Sequence, residues 1–274
     1  MKQIVTVEPV LRWVGGKSWF VKNFTSSIGR LDFNNYHEPF VGGASAFLAF
    51  GHGHQSHLSD LNAELIETYR AIKKNPKRVL QYLQKYKNEE KCYYDARASR
   101  PRDIYSRSAR FIYLNQTSYN GIYRVNSRGE YNVPYGFRTK NFVEKEKVYR
   151  FSERLQSAEL NVSDFAMIID KVSMNDLVFL DPPYTVSHNK NGFIKYNQKL
   201  FSLDDQYRLY ECVQEIKLRK AFYILTNAAH DVIRNIFTTN DNFHEVERSS
   251  LIGGKKAVRG RVSEFIFTNV DLGI

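Results

Sequence analysis

The sequence predicts an α/β fold in which a basic segment interrupts an alternation of strands and helices. Short apolar runs that end in turn-forming residues alternate with longer stretches of helical spacing. A hydrophobic content of 42% over 274 residues is sufficient for a full core. Because open α/β sheets bind ligands at the carboxyl ends of their strands, we look for functional residues there.

Positive charge is concentrated in one part of the chain. The net charge is +11, and residues 66–150 hold 20 Lys and Arg against 8 Asp and Glu, whereas the remainder holds 20 against 21. Together with 18 Tyr and 19 Phe, this favours nucleic acid over a membrane as the partner. We predict a target-recognition module at 66–150, inserted into a discontinuous domain of 1–65 and 151–274. The alternative is a solvated helical surface with surplus lysines.

The two cysteines indicate neither a disulfide framework nor a metal site. Cys92 and Cys212 are far apart and have no His or Cys neighbours at ligand spacing. The chain shows no apolar leader and no run of membrane-spanning length. We therefore expect a soluble, cytoplasmic protein.

A Gly pair near the amino terminus precedes an amphipathic stretch. A Walker phosphate loop would need Gly where Leu11 stands, so we reject a nucleotide triphosphatase. Gly15 and Gly16 can instead let the backbone approach a ligand, with Trp13 as an apolar wall and Lys17 at the start of the following helix. The alternative is an ordinary Gly turn.

A strand, a Gly turn and a helix follow at residues 36–50. Pro39, Phe40 and Gly42 lie at this turn, where Gly would allow a nucleotide-like ligand to cross the strand end. About 20 residues after Phe40, Asp60 ends a second short strand, a position where a carboxylate can hold ribose hydroxyls. The alternative role of Asp60 is to cap the helix predicted at 61–72.

The basic module combines helices with a hairpin. Helical spacing covers residues 64–86, with a break at Pro76, and residues 106–116. Residues 119–136 alternate like two strands around a Ser-Arg-Gly turn, which predicts a hairpin. A hairpin can enter the major groove of DNA, where Arg reads guanine, so Arg124 is the candidate for base contact. A hairpin that only packs on the core is the alternative.

Past residue 150 the pattern is again that of an α/β domain. Asp164 and Phe165 follow the strand predicted at 159–162, and an adenine ring could lie against Phe165 while Asp164 accepts from its amine. The alternative is a capping Asp and a core Phe. Further strands and helices are predicted at 177–180, 204–218, 221–226 (closed by Asn227), 230–237, 243–248 and 262–268.

The buried run Leu177–Leu180 ends in Asp181, Pro182, Pro183 and Tyr184. Consecutive prolines cannot continue a central strand, so they place a carboxylate and an aromatic ring at the sheet edge. This pair suits a planar group that carries a hydrogen-bond donor, such as a nucleobase with an exocyclic amine; a plain turn with a solvated Asp is the alternative. A loop over the site is predicted at 185–197, and a basic loop at 253–261.

Six stretches in this order resemble the Dam-type DNA adenine methyltransferases, over nearly the whole chain. They are residues 13–17, residues 38–43, Asp60, residues 124–136, the pair at 164–165 and the tetrapeptide at 181–184. The resemblance implies a Rossmann-like methyltransferase sheet with an inserted helical and β-hairpin DNA-recognition domain. It also implies S-adenosylmethionine as cofactor, bound by Trp13, Gly15, Lys17, Pro39, Phe40, Gly42, Asp60, Asp164, Phe165 and Asp181.

The same resemblance implies double-stranded DNA as the substrate, with adenine in GATC as the methylated base. The DNA-binding candidates are Arg12, Tyr119, Asn120, Ile122, Arg124, Asn126, Asn132, Pro134 and Arg138. The family often has Lys at position 12 and Gly at position 163, where this chain has Arg12 and Ser163. Tyr119 and Asn120 could wedge into the base stack at the root of the hairpin.

The chemistry implied is direct in-line methyl transfer to a flipped-out adenine. Tyr184 would stack on the base, Asp181 and the Pro182 carbonyl would accept from its amine, and Pro183 would keep the turn rigid. A thiolate nucleophile is not predicted, since neither cysteine lies in a suggestive motif. Two alternatives remain: a non-catalytic DNA-binding protein, and a methyltransferase acting on RNA or a protein amide.

We expect a nucleoid-associated monomer. A cognate restriction endonuclease acting on the same site is a further candidate partner.

Overall fold

The computed structural model describes residues 7–139, 141–184, 201–238, 241–249 and 261–273. The loop predicted at 185–197 lies outside these residues, as does the basic loop predicted at 253–261 except for Arg261, which begins a strand.

Helices and strands alternate along the described chain, which confirms the predicted α/β class. The α-helices are α1 Ser18–Ile28, α2 Ser45–Phe50, α3 Ala63–Lys74, α4 Pro76–Leu83, α5 Glu90–Ala98, α6 Ile104–Thr117, α7 Lys145–Leu155, α8 Leu203–Leu218 and α9 Asp231–Phe237. The strands are β1 Tyr36–Glu38, β2 Ser56–Asp60, β3 Ala158–Val162, β4 Leu177–Leu180, β5 Phe222–Ala228, β6 Asn242–Ser249 and β7 Arg261–Thr268. Short 3₁₀ turns cover Tyr119–Gly121 and Phe165–Lys171.

Backbone contacts divide the chain into two compact units. The first unit is Met1–Ser18 with Val41–Ser163, and the second unit is Trp19–Phe40 with Asp164–Ile274. The domain boundaries at residues 65 and 151 are predicted from the distribution of charge, whereas these units are defined by backbone contacts. The boundaries therefore stay a prediction.

In the first unit, β2 and β3 pair in parallel and helices pack around α3. The parallel register runs from Ser56 opposite Ala158 to Asp60 opposite Val162. Asn62 caps α3 by accepting from the Leu65 amide at 3.1 Å, and Asn75 caps α4 with Pro76 at its first position. The alternative that Asp60 caps this helix is therefore wrong, because Asn62 is the capping residue.

In the second unit, five strands have the spatial order β1, β4, β5, β7 and β6. The strands β1, β4 and β5 are parallel, whereas β7 is antiparallel to both of its neighbours. All four residues of β4 are buried, as its unbroken apolar run predicts. The strand β5 continues to Ala228, so Asn227 lies inside the strand, and the prediction that it closes the strand is wrong.

Two helices were not predicted from the sequence. Tyr93 of α5 is buried and its hydroxyl donates to the Val133 carbonyl at 2.7 Å, a contact between distant parts of the chain. In α7, Val148, Phe151 and Leu155 are buried at helical spacing, a signal that the sequence does contain. In the described part of the chain, no helix is long and apolar enough to cross a membrane.

A buried polar pair anchors β1 to the turn that precedes β4. The His37 Nε2 lies 2.8 Å from Asp176 Oδ2, and both side chains are fully buried. Asp176 also accepts from the Asn35 amide at 3.0 Å and from the Ser173 amide at 2.9 Å. One carboxylate thus bonds two parts of the second unit, the stretch at the start of β1 and the turn before β4.

We expect Asp176→Ala to lower the free energy of unfolding by about 3–5 kcal/mol, because it removes one partner of a buried pair and leaves donors unsatisfied. Urea unfolding measures the loss. Asp170→Ala, at an exposed carboxylate of the same unit, is the control and should change stability by less than about 0.5 kcal/mol. Similar losses in both variants would contradict a special role for Asp176.

Candidate active site and DNA-recognition segment

The Gly pair near the amino terminus forms a tight turn in the first unit. The Gly16 amide donates to the Trp13 carbonyl at 3.2 Å, and Gly15 has a φ of +83°, a conformation that favours glycine. The buried Lys17 donates from Nζ to the Gly15 carbonyl at 3.0 Å. The turn therefore holds the Lys17 ammonium directly before α1 begins.

Trp13 lies against the second Gly turn. A Cβ atom at Gly42 would lie 2.8 Å from the Trp13 ring, and one at Gly43 would lie 2.9 Å from the Trp13 Cβ. The Trp13 ring also stacks on Tyr123, with centroids 5.7 Å apart and planes at 18°. The Tyr123 hydroxyl donates to Glu64 at 3.1 Å. Glycine is thus required where the backbone meets the indole ring.

Asp60 connects the end of β2 to this Gly turn. Its Oδ2 accepts from the Gly42 amide at 3.1 Å, and its Oδ1 accepts from the Asn62 amide at 2.9 Å. Burial raises the pKa of the Asp60 carboxyl, and the backbone amide donors oppose this shift. Asp60 and Gly42 are therefore brought together, and their role in binding a nucleoside stays a prediction.

The pair Asp164 and Phe165 lies in the second unit beside Arg208 of α8. Asp164 Oδ1 accepts from the Ala166 amide at 3.0 Å and from Arg208 Nη2 at 2.6 Å. The ring of Phe165 is buried and stacks on Phe40, with centroids 5.3 Å apart. Asp164 therefore caps the 3₁₀ turn and Phe165 belongs to the core, and the role of the pair in binding a cofactor stays a prediction.

The tetrapeptide directly follows β4. Asp181 is half-buried, and its Oδ1 accepts from the Thr226 hydroxyl of β5 at 3.0 Å. Pro182 is buried, Pro183 is exposed and Tyr184 is half-buried. The adjacent β1 is parallel to β4 and leads into the buried Pro39 and the half-buried Phe40. In the second unit, a carboxylate and several aromatic rings therefore follow the carboxyl ends of neighbouring strands.

The predicted hairpin segment, residues 119–136, doubles back on itself with few ladder bonds. Isolated antiparallel bridges join Val125 to Tyr131 and Ser118 to Tyr135. Asn126 organises the turn, since its Oδ1 accepts from the amides of residues 128 and 130, each at 3.0 Å. This amide side chain is thus engaged in the turn itself.

Arg124 is exposed on the hairpin segment and is oriented by Asn132. The Arg124 Nε donates to Asn132 Oδ1 at 2.8 Å, and its Nη2 donates to the Asn132 carbonyl at 3.4 Å, so both bonds of the exposed side chain are made to one residue. The segment also presents exposed Tyr119, Asn120 and Pro134, whereas Ile122 is half-buried. Asn120 has a φ of +54°, which turns the chain at the root of the segment.

Arg12 packs against the root of the hairpin segment. Its amide and carbonyl are both bonded by the Asn115 side chain at 2.8 Å, and a Cβ at Gly121 would lie 2.7 Å from the Arg12 side chain. Burial lowers the pKa of Arg12, and the nearby charge of Arg138 lowers it further. Arg12 Nη1 is buried and has no hydrogen-bond partner among the described residues.

Four side chains that hold the candidate residues carry no signal in the sequence. Tyr123 stacks on Trp13, Arg208 pairs with Asp164, Thr226 donates to Asp181, and Asn115 clamps Arg12. Each contact joins residues far apart in the chain, so composition and spacing do not indicate it. Among the residues that the structure describes, no cluster of His, Cys, Asp and Glu could hold a metal ion.

We expect Gly42→Ala to cost about 2–4 kcal/mol of stability, because the new Cβ meets Trp13 in addition to the strain of a positive φ. Gly53→Ala is the matched control, with a positive φ but no atom within 4 Å of the new Cβ, and should cost about 1–2 kcal/mol. Thermal unfolding and tryptophan fluorescence measure the two effects. Equal losses with unchanged fluorescence would show that Trp13 does not lie against Gly42.

Comparisons with known proteins show the family of this chain. A family model described as D12 class N6 adenine-specific DNA methyltransferase matches residues 13–252. The type II methyltransferase M1.LlaDCHI of Lactococcus lactis subsp. cremoris is 30% identical over 98% of this chain and 97% of its own. The type II methyltransferase M.MjaIII of Methanocaldococcus jannaschii is 29% identical over 81% of this chain and 84% of its own.

The DNA adenine methylase of Escherichia coli strain K12 is 28% identical over 93% of each chain. The family match covers most of the chain and includes every candidate residue of the site except Arg12. The chain belongs to the D12 class of N6 adenine-specific DNA methyltransferases.

Proposed function

We propose that this DNA adenine methyltransferase uses S-adenosylmethionine to methylate the exocyclic amine of adenine in GATC, after flipping the base out of the duplex. The observation that carries the proposal is Asp181 at the end of β4, with its carboxylate oriented by Thr226 at 3.0 Å. The GATC sequence rests on the resemblance of the hairpin segment to that of Dam-type enzymes.

Asp181 and Tyr184 supply the chemistry that adenine requires. The amine of adenine is a poor nucleophile because its lone pair is delocalised into the ring. In our proposal the Asp181 carboxylate and the Pro182 carbonyl accept from the amine, which localises that lone pair. Tyr184 stacks on the flipped base, and Pro183 stiffens the turn. The Thr226 hydroxyl keeps Asp181 in one orientation, so less of its motion is lost on binding.

The cofactor would supply an electrophilic methyl group, and each unit has residues that fit it. From the first unit we assign Trp13, Gly15, Lys17, Gly42 and Asp60. The half-buried Asp60 carboxylate fits a nucleoside that needs an acceptor for its hydroxyls, and the Trp13 ring, packed against Gly42, would be the apolar wall of the same site.

From the second unit we assign the residues that follow its parallel strands or that begin the 3₁₀ turn. They are Pro39, Phe40, Asp164, Phe165 and Asp181.

DNA recognition is assigned to the hairpin segment and to Arg12. Arg124 is held by Asn132 before any base is met, which reduces the entropy lost when a guanidinium pairs with guanine. Arg12 has a buried Nη1 without a protein partner among the described residues, and a guanine or phosphate oxygen would satisfy it. Tyr119, Asn120, Ile122, Asn126, Pro134 and Arg138 complete the proposed set.

The basic stretch at 66–150 would supply the phosphate contacts, as the target-recognition domain between residues 1–65 and 151–274. We further propose that the enzyme acts as a monomer at the nucleoid. A restriction endonuclease with the same recognition sequence would be its partner, by analogy with the type II methyltransferase names of its relatives.

A tritiated methyl-transfer assay on duplexes with and without GATC tests the function. We expect transfer to adenine in the GATC duplex only, and no detectable transfer by Asp181→Ala, because the amine then lacks its acceptor. Electrophoretic mobility shifts should show that Asp181→Ala still binds DNA.

Two outcomes of this assay would count against the proposal. Equal transfer to both duplexes would remove the GATC assignment, and wild-type-like activity of Asp181→Ala would remove its role at the amine. Asp170→Ala, an exposed carboxylate in the same unit, is the matched control and should keep full activity.

Arg124→Ala should lower discrimination at one base pair by about 1–3 kcal/mol, because a bidentate contact to one base is lost. Asn132→Ala should act in the same direction, since Asn132, itself a proposed DNA contact, also orients Arg124. The measurement is kcat/KM on GATC and on duplexes with single substituted base pairs. Arg128→Ala, exposed at the turn of the same segment, is the control. A uniform loss on every sequence would instead make Arg124 a phosphate contact.

A further inference from the structure

Arg208 makes both contacts that the sequence predicts for the adenine ring of the cofactor. Its Nη2 donates to Asp164 at 2.6 Å, where the amine of adenine was expected to donate. Its planar guanidinium lies over the Phe165 ring, 4.8 Å from the centroid, where the adenine ring was expected to stack. We propose that Arg208 competes with the adenine ring for Asp164 and Phe165 and so sets the affinity for the cofactor. The inference rests on the proposed cofactor role of this pair.

The two groups are chemically interchangeable at this position. A guanidinium and an aminopurine are both planar, both present N–H donors in their plane, and both stack on aromatic faces. Asp164 Oδ1 already accepts from the Ala166 amide at 3.0 Å, which fixes the carboxylate at the start of the 3₁₀ turn. Whichever planar donor is present therefore meets the same oriented acceptor.

An adenine ring can stack on Phe165 only if one of the present neighbours of Phe165 moves away. Phe165 is only 4% exposed. Its ring centroid lies 5.3 Å from that of Phe40 and 5.5 Å from that of Phe201, and the Arg208 guanidinium lies over the same ring. Phe201 is itself only 4% exposed and packs edge-on to Phe40 at 5.7 Å, so these two rings support each other. The Arg208 side chain is 46% exposed. Of the three neighbours, Arg208 can reach solvent with the smallest change in packing.

A second carboxylate can retain Arg208 after it leaves the Phe165 ring. Asp205, one turn earlier on α8, accepts from Arg208 Nη1 at 2.8 Å. Asp205 is itself held by Ser202 in the capping box at the start of α8. A half-exposed ion pair and a cation–π contact are both weak interactions. Adenine can therefore displace Arg208 from Asp164 while the Asp205 contact persists.

The test is the affinity for S-adenosylhomocysteine, measured by isothermal titration calorimetry with the full-length protein. We expect Arg208→Ala to bind about three- to tenfold more tightly than wild type, because the competing contacts are weak but must be broken. Added salt should screen the pair of Arg208 with Asp164, which only the wild type has. It should therefore narrow the difference in affinity between wild type and Arg208→Ala.

Arg234→Ala is the matched control. Its side chain is 45% exposed, pairs with Glu245 at 3.4 Å and lies over the Phe243 and Phe265 rings at 5.3 and 5.1 Å, all in the same unit. This variant should bind like wild type. Thermal unfolding of each variant tests whether it is folded.

Equal or weaker binding by a folded Arg208→Ala would overturn the inference, and weaker binding would make Arg208 a direct cofactor contact. In either case the proposed function stands, because wild type still binds. If wild type itself does not bind S-adenosylhomocysteine, the cofactor assignment fails and the inference fails with it.

Discussion

The parallel register of β1, β4 and β5 is the constraint on which the chemistry of the second unit depends. Parallel strands end at one edge, so the residues after β1 and β4 emerge side by side, and Thr226 of β5 reaches Asp181. Asp176, directly before β4, stabilises this register because its carboxylate bonds His37 of β1. A buried structural carboxylate at the start of β4 thus fixes the position of the proposed catalytic carboxylate at its end.

In the first unit, the candidate residues are positioned by close packing of the backbone against an aromatic ring. Gly42 and Gly43 have no side chains where the indole of Trp13 lies, and Tyr123 stacks on the same indole. Tyr123 belongs to the hairpin segment, one residue before Arg124. The loop assigned to the cofactor and the segment assigned to DNA are therefore in direct contact within one unit.

Two arginines show how the same side chain serves different purposes. Arg124 is exposed, and its Nε and Nη2 are both held by Asn132, so the orientation of the side chain is set within the hairpin segment. Arg208 donates from Nη1 and Nη2 to two carboxylates, and its guanidinium plane lies over the Phe165 ring. A guanidinium offers the same donors in both cases. The neighbours decide whether it is available to an external partner or must first be released.

Local pattern by itself determined the α/β class, the strand ends at Asp60 and Asp181, and most helices. These follow from hydrophobic periodicity and turn chemistry, which act over a few residues. The missed helix α7 carries the same kind of signal in Val148, Phe151 and Leu155. The helix α5 does not, because its buried Tyr93 is held by a contact to Val133.

Only the tertiary structure decided which side chains surround the candidate residues. The bond from the Gly42 amide to the Asp60 carboxylate joins residues 18 positions apart. The contacts of Tyr123 with Trp13 and of Arg208 with Asp164 join residues many positions apart. Such contacts depend on how whole elements pack, and that packing is set by the sum of many weak interactions over the chain.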